Sequence, residues 1–386
     1  MGIDAAAPRI PPVSGPRAHR LNTGIFAAIT LVLLAATLLP LSRSRAWWIR
    51  ALDFPRLQLL LVSAGVLLAQ CFLHRIDDAL EVGVVSANAA CMLYQAWWIL
   101  PYTRLHPVEV RDCGDPSRPR LRLLASNVLM TNREADRLLA LVREERPDVL
   151  IAVETDAWWE ARLDTLSDLL PHALRRPLDN LYGMHLYSRL PLHDAEVRFL
   201  VEDDIPSMHA RLELDGGASV ELHCLHPRPP SPTEADGSDE RDAELVAVGR
   251  AAGDSALPAI VAGDLNDVAW SRTTRLFRKV SGLLDPRIGR GMFNTFHAGL
   301  PGLRWPLDHL FHSRDFSLVT LRRLPSIGSD HFPILVELAL EPGRNPARAG
   351  LDEDAQARRD AREAAGGRTA GTGTIRRDRK HPEASP

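Results

Sequence analysis

Between residues 121 and 340 the chain alternates apolar runs with turns, and the runs end in polar residues of a restricted kind. Asn127 closes the run 121–128, Glu154 follows 149–153, His226 follows 220–225, and Asp264 with Asn266 follows 258–262. Asp308 lies in 307–311, and His331 precedes 332–340. Short apolar runs bounded by turn residues read as strands. Strand ends that meet along one edge of a sheet pair would gather these side chains around a point. Amides, carboxylates and imidazoles gathered in that way are suited to holding a divalent cation against a phosphate and sending water at it.

The segments between these strands fix the fold class. Residues 134–145 place Leu138, Leu139, Leu141 and Val142 at helical spacing, and Arg146-Pro147-Asp148 ends the run. Residues 158–170 and 242–252 read as further helices. Residues 183–187, 196–201 and 209–214 read as short strands, with a turn at Asp215-Gly216-Gly217. Residues 227–241 form a Pro- and acid-rich loop. This mixed order predicts an α/β (α+β) fold of two packed sheets with outer helices.

The first quarter differs. Residues 21–42, 57–73 and 82–103 carry no formal charge over 22, 17 and 22 residues. A helix of ~20 residues crosses the hydrocarbon of a bilayer. Trp47, Trp48, Trp97, Trp98 and Tyr102 stand near segment ends, where amphipathic rings favour the headgroup layer. Three transmembrane helices after an amino-terminal tail (residues 1–20) are therefore expected, and a cleaved signal peptide is not. Three spans put the large domain and the amino terminus on opposite faces. Arg9, Arg17, Arg20 and Arg75 flank one face, and Arg43, Arg45, Arg50, Arg56 and Arg104 the other, so the arginines do not choose a side.

Residues 105–120 read as a linker and 121–340 as the catalytic domain. Residues 341–386 are rich in Gly, Ala, Arg and Asp and predict a disordered tail ending in the basic stretch Arg376-Arg377-Asp378-Arg379-Lys380. Residues 121–340 hold 24 Lys and Arg against 33 Asp and Glu, a balance of −9. Such a surface grips duplex DNA poorly without base-specific contacts. Four cysteines without a C-x-x-C pair give neither a zinc knuckle nor a disulfide framework. G-x-S-x-G and G-x-x-x-x-G-K-[ST] are absent, which removes the usual serine hydrolase and nucleoside triphosphatase motifs.

Within the candidate site, Glu154 is the leading metal ligand, with Asn127 and Asp330 as further ones. A carboxylate from Asp308 on one nitrogen of His331 would fix the tautomer and leave the other nitrogen to act on water or on developing charge. Asp264 is suited to orient or deprotonate the water, Asn266 to donate to a phosphate oxygen, and His226 to donate to the transition state. His309 points to the opposite face if 307–311 is extended, and is read as structural.

In chain order, Ser126-Asn127, Glu154, His226-Pro227, Gly263-Asp264-Leu265-Asn266, Pro306-Leu307-Asp308-His309-Leu310 and Ser329-Asp330-His331-Phe332-Pro333 resemble the endonuclease/exonuclease/phosphatase superfamily. Tyr187-Ser188-Arg189-Leu190-Pro191 is similar to its S-R-x-P turn. The opening asparagine pair of many members is replaced by Ser126-Asn127-Val128-Leu129, so only Asn127 is carried over. The resemblance implies a four-layer α/β sandwich and phosphoester hydrolysis dependent on Mg²⁺, with Mn²⁺ as the alternative. It also implies the metal, dyad, water and phosphate roles given above. The apolar segments are similar to those of bacterial membrane-anchored members, which implies an integral protein of the bacterial inner membrane. Two substrate classes stay open, nucleic acid and a lipid or inositol phosphate headgroup. A silent module binding phosphate-bearing ligands is the alternative outside catalysis.

Overall fold

The computed structural model describes residues 16–73, 78–346 and 349–366. These described residues fall into two compact units, those of 16–44 with 55–99, and those of 45–54 with 100–366. In the first unit, helix α1 (Pro16–Leu38) packs on α4 (Ala79–Ile99), which packs along α3 (Arg56–Leu73). The charge-free stretches predict three spans. Among the described residues a single helix, His19–Leu41, is long and apolar enough alone, and Arg56–Phe72 qualifies only jointly with Trp47–Asp53. A count of formal charges ignores uncharged polar groups, and α4 carries two side-chain amides. Buried Asn88 donates to the Ser63 carbonyl at 3.1 Å, and buried Gln95 donates to the Thr37 hydroxyl at 3.0 Å. These amides serve helix–helix bonding rather than contact with hydrocarbon.

The second unit begins with helix α2 (Trp47–Arg50) and resumes after α4. The expected linker is tied down: Glu109 pairs with buried Arg278, and the Arg111 N–H donates to Asn345 Oδ1 at 2.8 Å. The chain then runs β1 (Arg120–Asn127), α5 (Ala135–Glu145), β2 (Val149–Val153), α6 (Ala157–Leu163), β3 (His172–Arg176) and β4 (Met184–Ser188). There follow β5 (Leu192–Arg198), β6 (Ser207–Glu213), β7 (Ser219–Leu225), α7 (Asp239–Gly253), β8 (Ala259–Asp264) and α8 (Arg272–Ser281). The last elements are β9 (Asp308–His312), β10 (Phe316–Arg323), β11 (Ile334–Leu340) and α9 (Ala355–Gly366).

Two mixed sheets result, ordered β10-β11-β1-β2-β4-β3 and β5-β6-β7-β8-β9. Within them β1 and β2 run parallel, as do β7 and β8, and the other pairs are antiparallel. Period-two alternation decides what each strand buries where. Leu121, Leu123, Ala125, Val149, Ile151 and Val153 meet Leu222, Cys224, Ile260 and Ala262 in a core between the sheets. Leu124, Leu150 and Ala152 turn outward under α5 and α6, while Ala259 and Val261 turn outward under α7 and α8. The layers are thus helices, sheet, sheet, helices. One expectation changes at the carboxyl end, where residues 355–366 are helical rather than disordered. Ala357, Ala361 and Ala364 recur at intervals of four and three, and Ala361 and Ala364 pack against Val246 of α7. A hydropathy count that seeks large apolar residues misses a helix docked through alanine. The basic stretch 376–380 and the tail 1–15 lie outside the described residues.

Candidate active site

The strand pairings bring six ends to one rim. Because β11 runs antiparallel to β1, its start lies beside the end of β1, and β9 likewise starts beside the end of β8. Asn127, His226, Asp264 and Asp308 continue the inward phase set by Ala125, Cys224, Ala262 and Leu310, so all four point between the sheets. Glu154 does not follow this rule. Alternation after Val153 would send it outward, but its φ of 60° turns the chain, and its Oε1 lies 2.6 Å from the Asn127 amide. Gly263 has φ +140°, and a Cβ there would stand 2.0 Å from the Leu225 carbonyl oxygen. Only glycine lets β8 pass β7 closely enough to place Asp264.

Asn127 Nδ2 donates to Glu154 at 2.6 Å and to Asp264 Oδ2 at 3.0 Å. The same Asp264 oxygen is 3.6 Å from His331 Nε2 and 3.8 Å from His226 Nε2. His331 Nδ1 is 2.8 Å from Asp308 Oδ2. Asp308 is held by its own backbone N–H, which donates to Thr295 Oγ1 at 3.2 Å, and the His331 N–H donates to Ser329 Oγ at 3.0 Å. Glu154, His226 and Asp264 offer ligand atoms within 4.8 Å of one another, and so do Asp264, Asp308 and His331. Asp330 belongs to neither cluster; its Oδ1 accepts from Ser329 at 3.4 Å. Asn266 sits beside the clusters with φ 50°, and its amide donates to the Pro227 carbonyl at 3.0 Å. His309 faces the other way, with Nδ1 2.7 Å from Arg287 and Nε2 2.8 Å from the Asp267 carbonyl.

Burial sets the electrostatics. Glu154 is pushed up to about 7 by desolvation, against the Asn127 bond and the charge of His331. Asp264 is raised for the same reason, with the Asp308 charge adding to it and His331 opposing. Burial also lowers His226 to about 4. His331 resists the same burial: the charges of Asp308 and Asp264 raise it to about 10, which keeps it an imidazolium at neutral pH. Three carboxylates thus crowd one imidazolium, an arrangement short of positive charge.

A divalent cation fits that deficit, since carboxylate oxygens are the ligands that Mg²⁺ and Mn²⁺ prefer. His226 Nδ1 is buried without a protein partner among the described residues, a second sign that the cluster awaits a ligand. Glu154 and Asp264 are the oxygen donors best placed to hold the ion. Asn127 turns its nitrogen to them, because its Oδ1 accepts from the Leu129 N–H at 3.0 Å. In this arrangement it bridges two carboxylates instead of adding an oxygen.

Two neighbours of the site gave no sequence signal. The Phe296 ring lies 4.9 Å from the His331 ring, and the Tyr182 ring 5.3 Å from that of His226. Both come from segments without periodicity, where an aromatic residue carries no mark of its destination.

Residues 124–331 match the profile of the endonuclease/exonuclease/phosphatase family. No curated protein sequence matches. Similar solved structures include an endonuclease/exonuclease/phosphatase from Beutenbergia cavernae, at 19% identity and TM-score 0.48 over 58% of this chain and 72% of that one. The human Nocturnin catalytic domain with bound sulfate shows 17% identity and TM-score 0.48 over 57% and 95%. Sphingomyelinase C from Streptomyces griseocarneus shows 16% identity and TM-score 0.43 over 57% and 99%.

Proposed function

The chain belongs to the endonuclease/exonuclease/phosphatase family, and from that premise we propose that it is a Mg²⁺-dependent phosphoester hydrolase. The observation that carries this reading is one oxygen, Asp264 Oδ2, lying within 3.8 Å of both His226 and His331 and within 3.0 Å of Asn127. Bound at Glu154 and Asp264, the cation would supply charge neutralisation for the phosphate. Everything else falls to the protein. Asp308 orients His331 so that Nε2 faces the cluster, and the imidazolium donates to a phosphate oxygen as charge builds there. Asp264 aligns the attacking water and accepts its proton. His226, neutral because buried, is a hydrogen-bond donor to the phosphate. Asn266, whose backbone N–H donates to Asp264 Oδ1 at 2.9 Å, completes the anion site once its side-chain bond to Pro227 is exchanged for a substrate oxygen.

The test is turnover of a phosphoester panel by the full chain with and without Mg²⁺. The panel holds bis(p-nitrophenyl) phosphate, plasmid DNA, RNA and phospholipid. Metal-dependent hydrolysis of at least one substrate is expected. His331→Ala should then lower kcat by about 10³-fold or more, the scale of losing a principal electrostatic group. A loss below tenfold in a folded variant would rule out this role for His331.

A further inference from the structure

Thr295 to Trp305 form a hairpin against the site. Thr295 and Phe296 donate to the Trp305 carbonyl at 3.0 Å, and Phe296 bridges to His331. Its base is fixed to the catalytic segment: the Ala298 N–H donates to the Asp330 carbonyl at 2.6 Å, and the Phe332 N–H donates to the Thr295 carbonyl at 3.0 Å. Its tip carries Leu300 and Leu303, 49% and 47% exposed. Large apolar residues this exposed are few in the second unit. The others are Trp48, Leu100, Leu105 and Val108, each within the stretches that join the apolar helices to the domain. The hairpin is the one such place beside the site among the described residues.

Two cations stand behind the tip. The Arg304 and Arg323 guanidiniums lie 5.0 and 4.4 Å from the centre of the Phe332 ring, next in sequence to His331. Arg304 donates to the Ala298 carbonyl and Arg323 to the Asn294 carbonyl, both at 2.8 Å, and neither has a carboxylate partner among the described residues. Adjacent Arg322, by contrast, pairs with Glu145. In a domain with excess negative charge, an unneutralised pair at the rim marks where an anion belongs. Leucines at a tip with arginines behind them follow the order of a bilayer surface, acyl chains first and phosphates next. Nucleic acid also offers phosphates, but it meets leucines only by unstacking its bases, at a cost of a few kcal/mol per step, whereas acyl chains meet them without that cost.

We propose that the hairpin tip Leu300–Leu303, with Arg304 and Arg323, docks on an anionic lipid surface and presents a phospholipid headgroup to His331. The inference rests on the hydrolase reading for its second half only, because docking is measurable without turnover. The full chain is placed in phosphatidylcholine–phosphatidylglycerol vesicles containing nitroxide-labelled lipid. Cys71 and Cys113 are replaced by Ser, and a fluorophore is attached to Leu303→Cys or to Asp215→Cys, at the opposite strand ends. Strong quenching at 303 and little at 215 is expected; equal quenching, or none at 303, overturns docking. In parallel, Arg304→Gln with Arg323→Gln should lower kcat/KM on phosphatidylglycerol at least about tenfold more than on bis(p-nitrophenyl) phosphate, since lipid alone meets both arginines at the surface. Equal losses, or a greater loss on plasmid DNA, overturn the headgroup assignment. Absence of turnover on every ester by the unaltered chain sinks the hydrolase reading instead, while the quenching still decides docking.

Discussion

Asp264, Asn127 and Glu154 show how single residues acquire chemistry from their neighbours. Strand phase aims the first two, and a left-handed turn aims the third. Gly263 is the residue on which that aim depends. Gly263→Ala should destabilise by about 3 kcal/mol or more, through a carbonyl clash and a strained φ, and a urea titration would show it as a lowered midpoint. Away from the site, Glu244 on α7 is fully buried, with Oε1 unpartnered among the described residues. Desolvation, with the Glu202 charge adding to it, raises its carboxyl to about 8. The folded state therefore holds a proton that the unfolded chain releases near its ordinary value of 4.5. Stability contributed by the neutral form is present below that value and declines as pH rises toward 8. Glu244→Gln should raise Tm at pH 8 by more than at pH 5, with a gain of up to ~4 kcal/mol at the upper end. A pH-independent difference between variant and parent would refute the assignment.

Among the elements, the contrast between α5 and α9 is instructive. The α5 stripe of Leu138, Leu139 and Val142 was readable, because leucines at helical spacing have few other uses. Helix α9 docks through alanines, and its polar residues face solvent or reach α8: Asp360 pairs with Arg272 at 2.8 Å, and Asp354, just before the helix, with Lys279 at 2.5 Å. Ala361→Glu should cost about 1–3 kcal/mol, because it forces a charge into the seam with α7. Exposed Arg359→Ala should change stability by no more than about 0.5 kcal/mol. Chemical denaturation of the two variants side by side distinguishes a docked helix from an unattached tail. Strands β3 and β10 and helix α8 were also missed. The arginines of β3 and β10 blunt the period-two pattern, and α8 (RTTRLFRKVS) has one large core residue, Phe277.

For the molecule as a whole, metal and fold should be linked. An ion that binds only the folded chain stabilises it by about 2.7 kcal/mol at a hundred times its Kd. Mg²⁺ should thus raise Tm in proportion to the logarithm of its concentration, and Glu154→Gln should flatten that response. An unchanged Tm on Mg²⁺ addition would place the ion elsewhere or nowhere. The residue types of the site, their order and the strand ends that bear them were legible in the chain, because strand phase and turn chemistry are local. The opposed directions of Asp308 and His309 were legible too, since alternation along β9 is equally local. Everything that depends on distant segments meeting was not. Strand pairing brought Asn127, Glu154, His226, Asp264, Asp308 and His331 to one rim, and burial there set the charge on the carboxylates and imidazoles. The same packing laid the Thr295–Trp305 hairpin against His331, a contact between segments that no periodicity connects.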